Sequence, residues 1–251
     1  MGEYLDIIGL SLVALVAGAI DAIAGGGGLL TLPARLLTGV PVPAAIGTNK
    51  GQGVFGSGAA LLTFWHAGRI DLQRVPALFL SGFMGSLLGA QVVTLLAPEV
   101  LRPVVLVLLV AVAMTLALRP TIGERPRPVE GQLAVRAVLI GAGIGCYDGF
   151  FGPGTGTFLI LAQVAWLGDD LIRASAHAKI VNFSSNLAAM LLLNAKGLVH
   201  WELALPMAVA QAMGSIAGAR VAIHGGDPLV RKVVLVVVSL LVAKLTWDLA
   251  R

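Results

Sequence analysis

Residues 21–33 read Asp-Ala-Ile-Ala-Gly-Gly-Gly-Gly-Leu-Leu-Thr-Leu-Pro, and the four successive glycines at 25–28 decide how the chain folds. A single glycine is tolerated inside a helix, but each costs about 1 kcal/mol relative to alanine, so four in a row cannot be ordinary helix interior. The backbone must unwind there. The setting of that break is apolar: of 251 residues 57% are hydrophobic and only 12% charged, with a mean hydropathy of +0.92, where a soluble domain carries roughly a quarter charged residues. Unwound backbone at membrane depth is tolerated only inside protein or beside a water-filled cavity. The chain is therefore read as an all-α integral membrane protein whose helices are broken at glycine-rich motifs. A span needs about 20 residues, so the length allows about eight helices and no sizeable soluble domain.

The net charge is +4 and the sequence pI about 9.6, yet no run of Lys or Arg is longer than the pair Arg231-Lys232, which argues against a nucleic-acid patch. Cys146 stands alone, so no internal disulfide can form, and no His or Cys cluster suggests a metal. Met1 to Asp6 lacks the basic start of a secretory signal, so the first apolar run reads as a retained span.

The break recurs. Sliding the sequence by 129 positions aligns Lys50 with Lys179, Gly68 with Gly197, Arg102 with Arg231, and Gly85-Ser86-x-x-Gly89-Ala90 with Gly214-Ser215-x-x-Gly218-Ala219. Upstream, a slide of 127 pairs Gly18-x-x-Asp21 with Gly145-x-x-Asp148, the second followed by Gly152-Pro-Gly-Thr-Gly156. The sequence thus divides into two homologous repeats, 1–118 and 132–251, joined by a proline- and arginine-rich loop over 119–131. Each repeat holds four segments: 5–24 continuing past the break to 38, 44–65, 75–97 and 100–118, then 132–150 continuing to 167, 173–195, 203–223 and 229–249. Under this eight-span count the side of both termini carries about nine Lys and Arg, with Arg69, Arg74 and Arg136 among them, against about five opposite, which predicts cytoplasmic termini. If a glycine break instead forms a re-entrant hairpin, the number of spans per repeat becomes odd and the repeats inverted. The Gly-x-x-x-Gly pairs predict close helix contacts. Trp65, Trp166, Trp201 and Trp247 fall near segment ends, where interfacial anchors belong.

Three constellations carry chemistry. Helices restarting after the breaks, near Leu29 and Thr157, aim free N–H groups at any cavity there and suit an anion; close backbone packing is the structural alternative. Lys50 and Lys179 occupy matching positions. A buried ammonium in lipid is costly and usually functional, although lysines near the interface can also snorkel to water. On a helix Lys179, Asn182 and Asn186 share a face with Ser185 nearby, and Lys50, Gly53 and Ser57 form its counterpart. Asp21 and Asp148 precede the breaks and can ion-pair with the lysines, cap a restarted helix or carry a coupling proton. His177 is a candidate pocket residue, and His66, His200 and Glu202 read as solvated or interfacial. Gly152-Pro-Gly-Thr-Gly-Thr lacks the Lys-Ser/Thr of a phosphate-binding loop, and no nucleophile–base spacing stands out, which argues against an enzyme and against a cofactor.

At Asp21–Pro33, at Gly47-Thr48-Asn49-Lys50, and at Ala178-Lys179 with Asn182-Phe-Ser-Ser-Asn186, the sequence resembles the TauE/SafE family of sulfite-exporter-like permeases over nearly its whole length. The second half departs from the glycine run and carries His177-Ala178 where the first has Thr48-Asn49. The resemblance implies a secondary transporter for a small sulfur-containing anion such as sulfite or an organosulfonate, in the bacterial inner membrane. Expected substrate contacts are Lys50, Lys179, Thr48, Asn49, Gly27, Gly28, Gly154, Thr155, Asn182, Ser185 and Asn186, with Asp21 and Asp148 as proton carriers. Export is the favoured direction. Uptake of another small anion and a non-transporting scaffold or sensor subunit are the alternatives, and the partners are the anion, the bilayer and, as an open option, further copies of the chain.

Overall fold

The computed structural model describes residues 2–97, 99–100 and 132–249. The expected segment 100–118, all but its first residue, and the 119–131 loop lie outside them. The described residues form helices and no strands: α1 (Gly2–Ala24), α2 (Gly28–Leu36), α3 (Val42–His66), α4 (Val75–Leu95), α5 (Leu133–Phe150), α6 (Thr155–Leu167), α7 (Leu171–Ala195) and α8 (Trp201–Leu249). The last is two helices end to end, because Gly226 leaves the helical region (φ 67°, ψ −174°) just ahead of Pro228, between the segments expected at 203–223 and 229–249. Three stretches, Asp6–Ala24, Val75–Leu95 and Leu133–Phe150, are long and apolar enough to cross a membrane by length and composition. The 25-residue α3 and α7 are as long, about 37 Å at 1.5 Å per residue. Their apolar content is diluted by Thr48, Asn49, Lys50 and Gln52 in one and His177, Lys179, Asn182 and Ser185 in the other, all of them buried.

The helix directions follow from which residues meet. Gly47 approaches Leu198, Gly51 approaches Ala204 and Gly56 approaches Gln211, so α3 runs parallel to the first half of α8. Gly214 packs on Leu15 and Gly218 on Ala19, so α1 is parallel to it as well. By the same test α4 is parallel to α5, through Gly85 on Ala142 and Gly89 on Cys146, and to α7, through Gly82 on Val181 and a hydrogen bond from Ser86 to the Ser185 carbonyl. Gly53 beside Asn186 and Gly58 beside Phe183 set α3 antiparallel to α7. Thus α1, α3 and the start of α8 point one way, and α4, α5 and α7 the other. A β-carbon placed on Gly89 or Gly214 would overlap the backbone of the neighbouring helix, so these glycines let helix backbones touch, as small-residue patterns in membranes do.

This geometry revises the first segment of each half. Since α1 and α3 are parallel, α2 between them must run back. The start of α2 lies against α1, where a β-carbon on Gly27 would sit 2.7 Å from the Ala17 carbonyl oxygen, and Thr31 and Arg35 of α2 bond to Asn49 and Ala45 of α3 in antiparallel order. At nine residues α2 covers about 13 Å, and the thirteen-residue α6 about 20 Å; neither crosses a hydrocarbon core of about 30 Å. The segments 5–38 and 132–167 are therefore hairpins rather than continuous spans. As a result Arg69, Arg74 and Arg136 stand at the end of the molecule opposite the start of α1, not beside it as the eight-span count placed them.

Candidate functional site

Both hairpins bend at their glycine breaks, and the two bends touch. The Thr157 hydroxyl donates to the Ala24 carbonyl at 3.0 Å, and a β-carbon on Gly28 would lie 3.3 Å from Pro153 Cα. The restarted helices begin at Gly28 and Thr155, one residue before and two residues before the starts expected from sequence. Beside this contact a polar cavity of about 430 Å³, its mouth included, is lined by Asp21, Gly28, Thr31, Asn49, Lys50, Gly53, Ser57, Asp148, Gly154, Thr155, Asn182, Asn186 and Gln211, with Gly26, Gly152 and Gly156 of the bends.

Two ion pairs hold the centre. Lys50 Nζ on α3 donates to Asp148 Oδ1 on α5 at 2.8 Å, and Lys179 Nζ on α7 donates to Asp21 Oδ2 on α1 at 2.7 Å. The lysines are 1% and 0% exposed at their side chains, so neither snorkels to the interface. Each carboxylate also bonds the start of the helix that restarts after its own break, Asp21 through a backbone amide and Asp148 through a side-chain hydroxyl. Asp21 Oδ1 accepts the Gly27 amide at 3.2 Å, and Asp148 Oδ1 accepts the Thr155 hydroxyl at 3.0 Å while Oδ2 accepts the Ser185 hydroxyl. Ion pair and helix-start contact coincide because the hairpin bend brings the helix start back beside the aspartate that precedes it. Burial of both charges leaves little water to screen them, so loss of either partner exposes the other to the full cost of desolvation.

Of the expected contacts, Asn49, Lys50, Gly28, Gly154, Thr155, Asn182 and Asn186 line the cavity, as do Asp21 and Asp148. Lys179, Thr48, Gly27 and Ser185 do not. Lys179 is turned to Asp21 and also bonds the Asp21 carbonyl at 2.6 Å; the Thr48 hydroxyl accepts the His200 amide at 3.0 Å, tying α3 to the start of α8; Gly27 and Ser185 serve the two aspartates. His177 is not solvated and does not line the cavity. It is 1% exposed, its Nδ1 lies 2.7 Å from Asp169 Oδ2, and its Nε2 accepts the Asp71 amide, while Arg74 donates to the same Asp169. This cluster stitches the α3–α4 turn to the α6–α7 turn.

Thr31, Gln211 and Arg35 are polar groups at this centre that the sequence reading did not select. Gln211 was visible as the one amide of the segment at 203–223; Arg35 carried only the signal of a lone cation among Leu32, Pro33 and Leu36. Among the described residues no group of three or more His, Cys, Asp or Glu side chains comes together to hold a metal ion.

The chain matches the family model described as "Sulfite exporter TauE/SafE" over residues 10–245. It is 38% identical over 239 residues to a "Probable membrane transporter protein ORF9" of Sinorhizobium sp, covering 95% of this chain and 92% of that protein. It is 35% identical over 247 residues to a "Probable membrane transporter protein" of Haemophilus influenzae, covering 96% and 97%, and 37% identical over 239 residues to the "Probable membrane transporter protein YfcA" of Escherichia coli K12, covering 95% and 89%. No solved structure is significantly similar to it. With its apolar helices, its paired hairpins and this match across most of its length, the chain belongs to the TauE/SafE family of membrane transporters.

Proposed function

We propose that this protein is a multi-pass inner-membrane secondary transporter that moves a small sulfur-containing anion, of the sulfite or organosulfonate type, by alternating access, with export as its working direction. The observation that carries this reading is the meeting of two helix-restart hairpins around a buried polar cavity, each locked by an Asp–Lys pair to a different helix. Broken helices that present their N-termini to a central site are the means by which transporters bind anions at membrane depth. The cavity offers the Asn49, Asn182 and Asn186 amides, the Thr31 and Thr155 hydroxyls and Lys50.

The repeats at 1–118 and 132–251 are inverted in this reading. Their first helices, α1 and α5, run oppositely, as do their third-segment helices, α4 and the start of α8, and each repeat's aspartate pairs with the other repeat's lysine. Rocking one repeat on the other would open the cavity to each side in turn. The anion binds while both Asp–Lys pairs are intact, and Asp148 and Asp21 are the candidate carriers of a proton exchanged as the repeats rock, which would couple the anion's movement to a proton. In proteoliposomes preloaded with sulfite or a sulfonate, wild-type protein is expected to catalyse efflux stimulated by a proton gradient, and Lys50→Ala and Lys179→Ala to reduce it to the background of protein-free vesicles. Wild-type efflux from Lys50→Ala would remove that lysine from the mechanism.

The basic residues Arg69, Arg74, Arg136 and Arg173 gather at one end of the bundle, which under the positive-inside tendency faces the cytoplasm. The start of α1 then faces the periplasm, the reverse of the eight-span expectation. In a Cys146→Ser background, Thr38→Cys in intact cells is expected to react with a membrane-impermeant thiol reagent and Ala67→Cys only after lysis; the opposite pattern would invert the orientation.

A further inference from the structure

Arg35 on α2 is 0% exposed, and among the described residues no carboxylate lies within ion-pair distance of it. Its Nη1 donates to the Ala45 carbonyl at 3.2 Å, its Nη2 to Gln52 Oε1 at 2.5 Å and to Met207 Sδ at 2.9 Å, and its Nε has no acceptor. A guanidinium keeps its proton and donates only, and a buried cation in a membrane protein marks function by default. The other two cations of the centre are cancelled by Asp148 and Asp21. Arg35, Lys50 and Lys179 against Asp21 and Asp148 leave three positive and two negative charges, an excess of one.

Arg35 also sets the polarity of a cavity wall. Because it cannot accept, Gln52 must turn Oε1 toward it, which leaves Gln52 Nε2 to donate to Asn49 Oδ1 at 3.3 Å. Thr31 donates to the same Asn49 Oδ1 at 2.7 Å. With Oδ1 taken by two donors, Asn49 holds its Nδ2 hydrogens without an acceptor among the described residues, at the cavity surface. That arrangement suits an acceptor-rich, negatively charged ligand.

We propose that the transported ligand is a singly charged anion and that Arg35 selects it, as the charge of the centre that no carboxylate among the described residues compensates and as the residue that fixes Asn49 as a donor. A monoanion brings the buried charge to zero, whereas a dianion overshoots and a neutral molecule leaves the guanidinium uncompensated. The inference rests on the anion-transport reading above. Arg35 is a positioning residue, since it reaches the cavity only through Gln52 and Asn49.

The test uses thermal unfolding of the detergent-purified protein with three probes: methanesulfonate, its uncharged isostere dimethyl sulfone, and sulfate. Wild-type protein is expected to be stabilised by methanesulfonate at concentrations on the order of tenfold below those needed with sulfate, and not by dimethyl sulfone. Gln52→Glu places a carboxylate against the Arg35 guanidinium without removing it. It should melt no lower than wild type in the absence of ligand, yet need on the order of tenfold more methanesulfonate, as expected when a unit charge near the site is cancelled. Arg35→Gln should lose the preference likewise, and Arg35→Lys should keep it. If Arg35 served only to pack α2, Gln52→Glu would leave ligand response unchanged, and that result, or a wild-type preference for sulfate, overturns the proposal while anion transport stands. Should Arg35→Gln fail to fold, Gln52→Glu decides alone. A wild-type protein that responds to no anion would overturn both this inference and the anion-transport reading.

Discussion

Asp148→Asn is expected to lower the unfolding free energy by about 3–5 kcal/mol, the usual consequence of removing one partner from a buried ion pair. Lys50 would be left with its charge 1% exposed, its carboxylate replaced by an amide, and only the hollow of the cavity for company. The same replacement weakens two further contacts, the hydrogen bonds from the Thr155 and Ser185 hydroxyls, so the restart of α6 loses its anchor as the lysine loses its counter-charge. The double variant Asp148→Asn/Lys50→Met should recover much of that loss, because it removes the orphaned charge as well as its partner. Thermal or denaturant unfolding of the single and double variants in one detergent measures this directly. A double variant no more stable than Asp148→Asn would mean that the hydroxyl bonds from Thr155 and Ser185, and not the ion pair, are what Asp148 contributes to stability. Lys179→Met and Asp21→Asn form the equivalent set at the other pair.

Gly25→Ala is expected to abolish folding of the paired hairpins and with it all transport. Gly25 has φ +73°, a left-handed conformation, and a β-carbon there would overlap the backbone of Gly156 and Thr157 across the contact between the bends. The conformational part costs about 1–2 kcal/mol. The overlap adds more, since it is with backbone and can be relieved only by separating the two bends and opening the cavity they line. Gly39 is the matched control. It has φ +79° but nothing within 4 Å of a β-carbon, so Gly39→Ala should cost only the conformational part, about 1–2 kcal/mol, and retain transport. Melting temperature and proteoliposome efflux of the two variants side by side distinguish strain from collision. Equal effects at both positions would mean that the contact between the bends is not required.

Much of this was legible in the sequence. The membrane class follows from composition, because so few charges cannot cover a soluble surface. The helix boundaries follow from the punctuation of glycines, prolines and polar turns: α3, α4 and α7 lie within a few residues of the segments expected for them, and Gly226 breaks α8 between two others. The residue types of the centre were legible too, since Asp21, Lys50, Asp148 and Lys179 are charges placed where lipid would punish them. The unwinding at 25–27 and 152–154 needed only the glycines.

Partnership and direction were not legible. An apolar run of nine to thirteen residues after a break looks the same whether it continues across the membrane or doubles back, because hydropathy records burial and not heading. That single ambiguity decided which end of the bundle Arg69 and Arg136 occupy and whether α1 and α5 run together or opposed. It also decided that Lys50 faces Asp148 rather than Asp21, since a pair exists only where two helices place their side chains at one depth. Lys179 and Lys50 are alike in sequence, yet one lines the cavity and the other is buried against Asp21, a difference set by packing of the hairpin bends. Arg35 shows the limit most clearly: one arginine near a turn is unremarkable along the chain, and only when α2 folds back against α1 and α3 does it become a buried charge with no carboxylate among the described residues to meet it. Local chemistry is written residue by residue in this protein, whereas the balance of charge at its centre is a property of helices brought together from both halves.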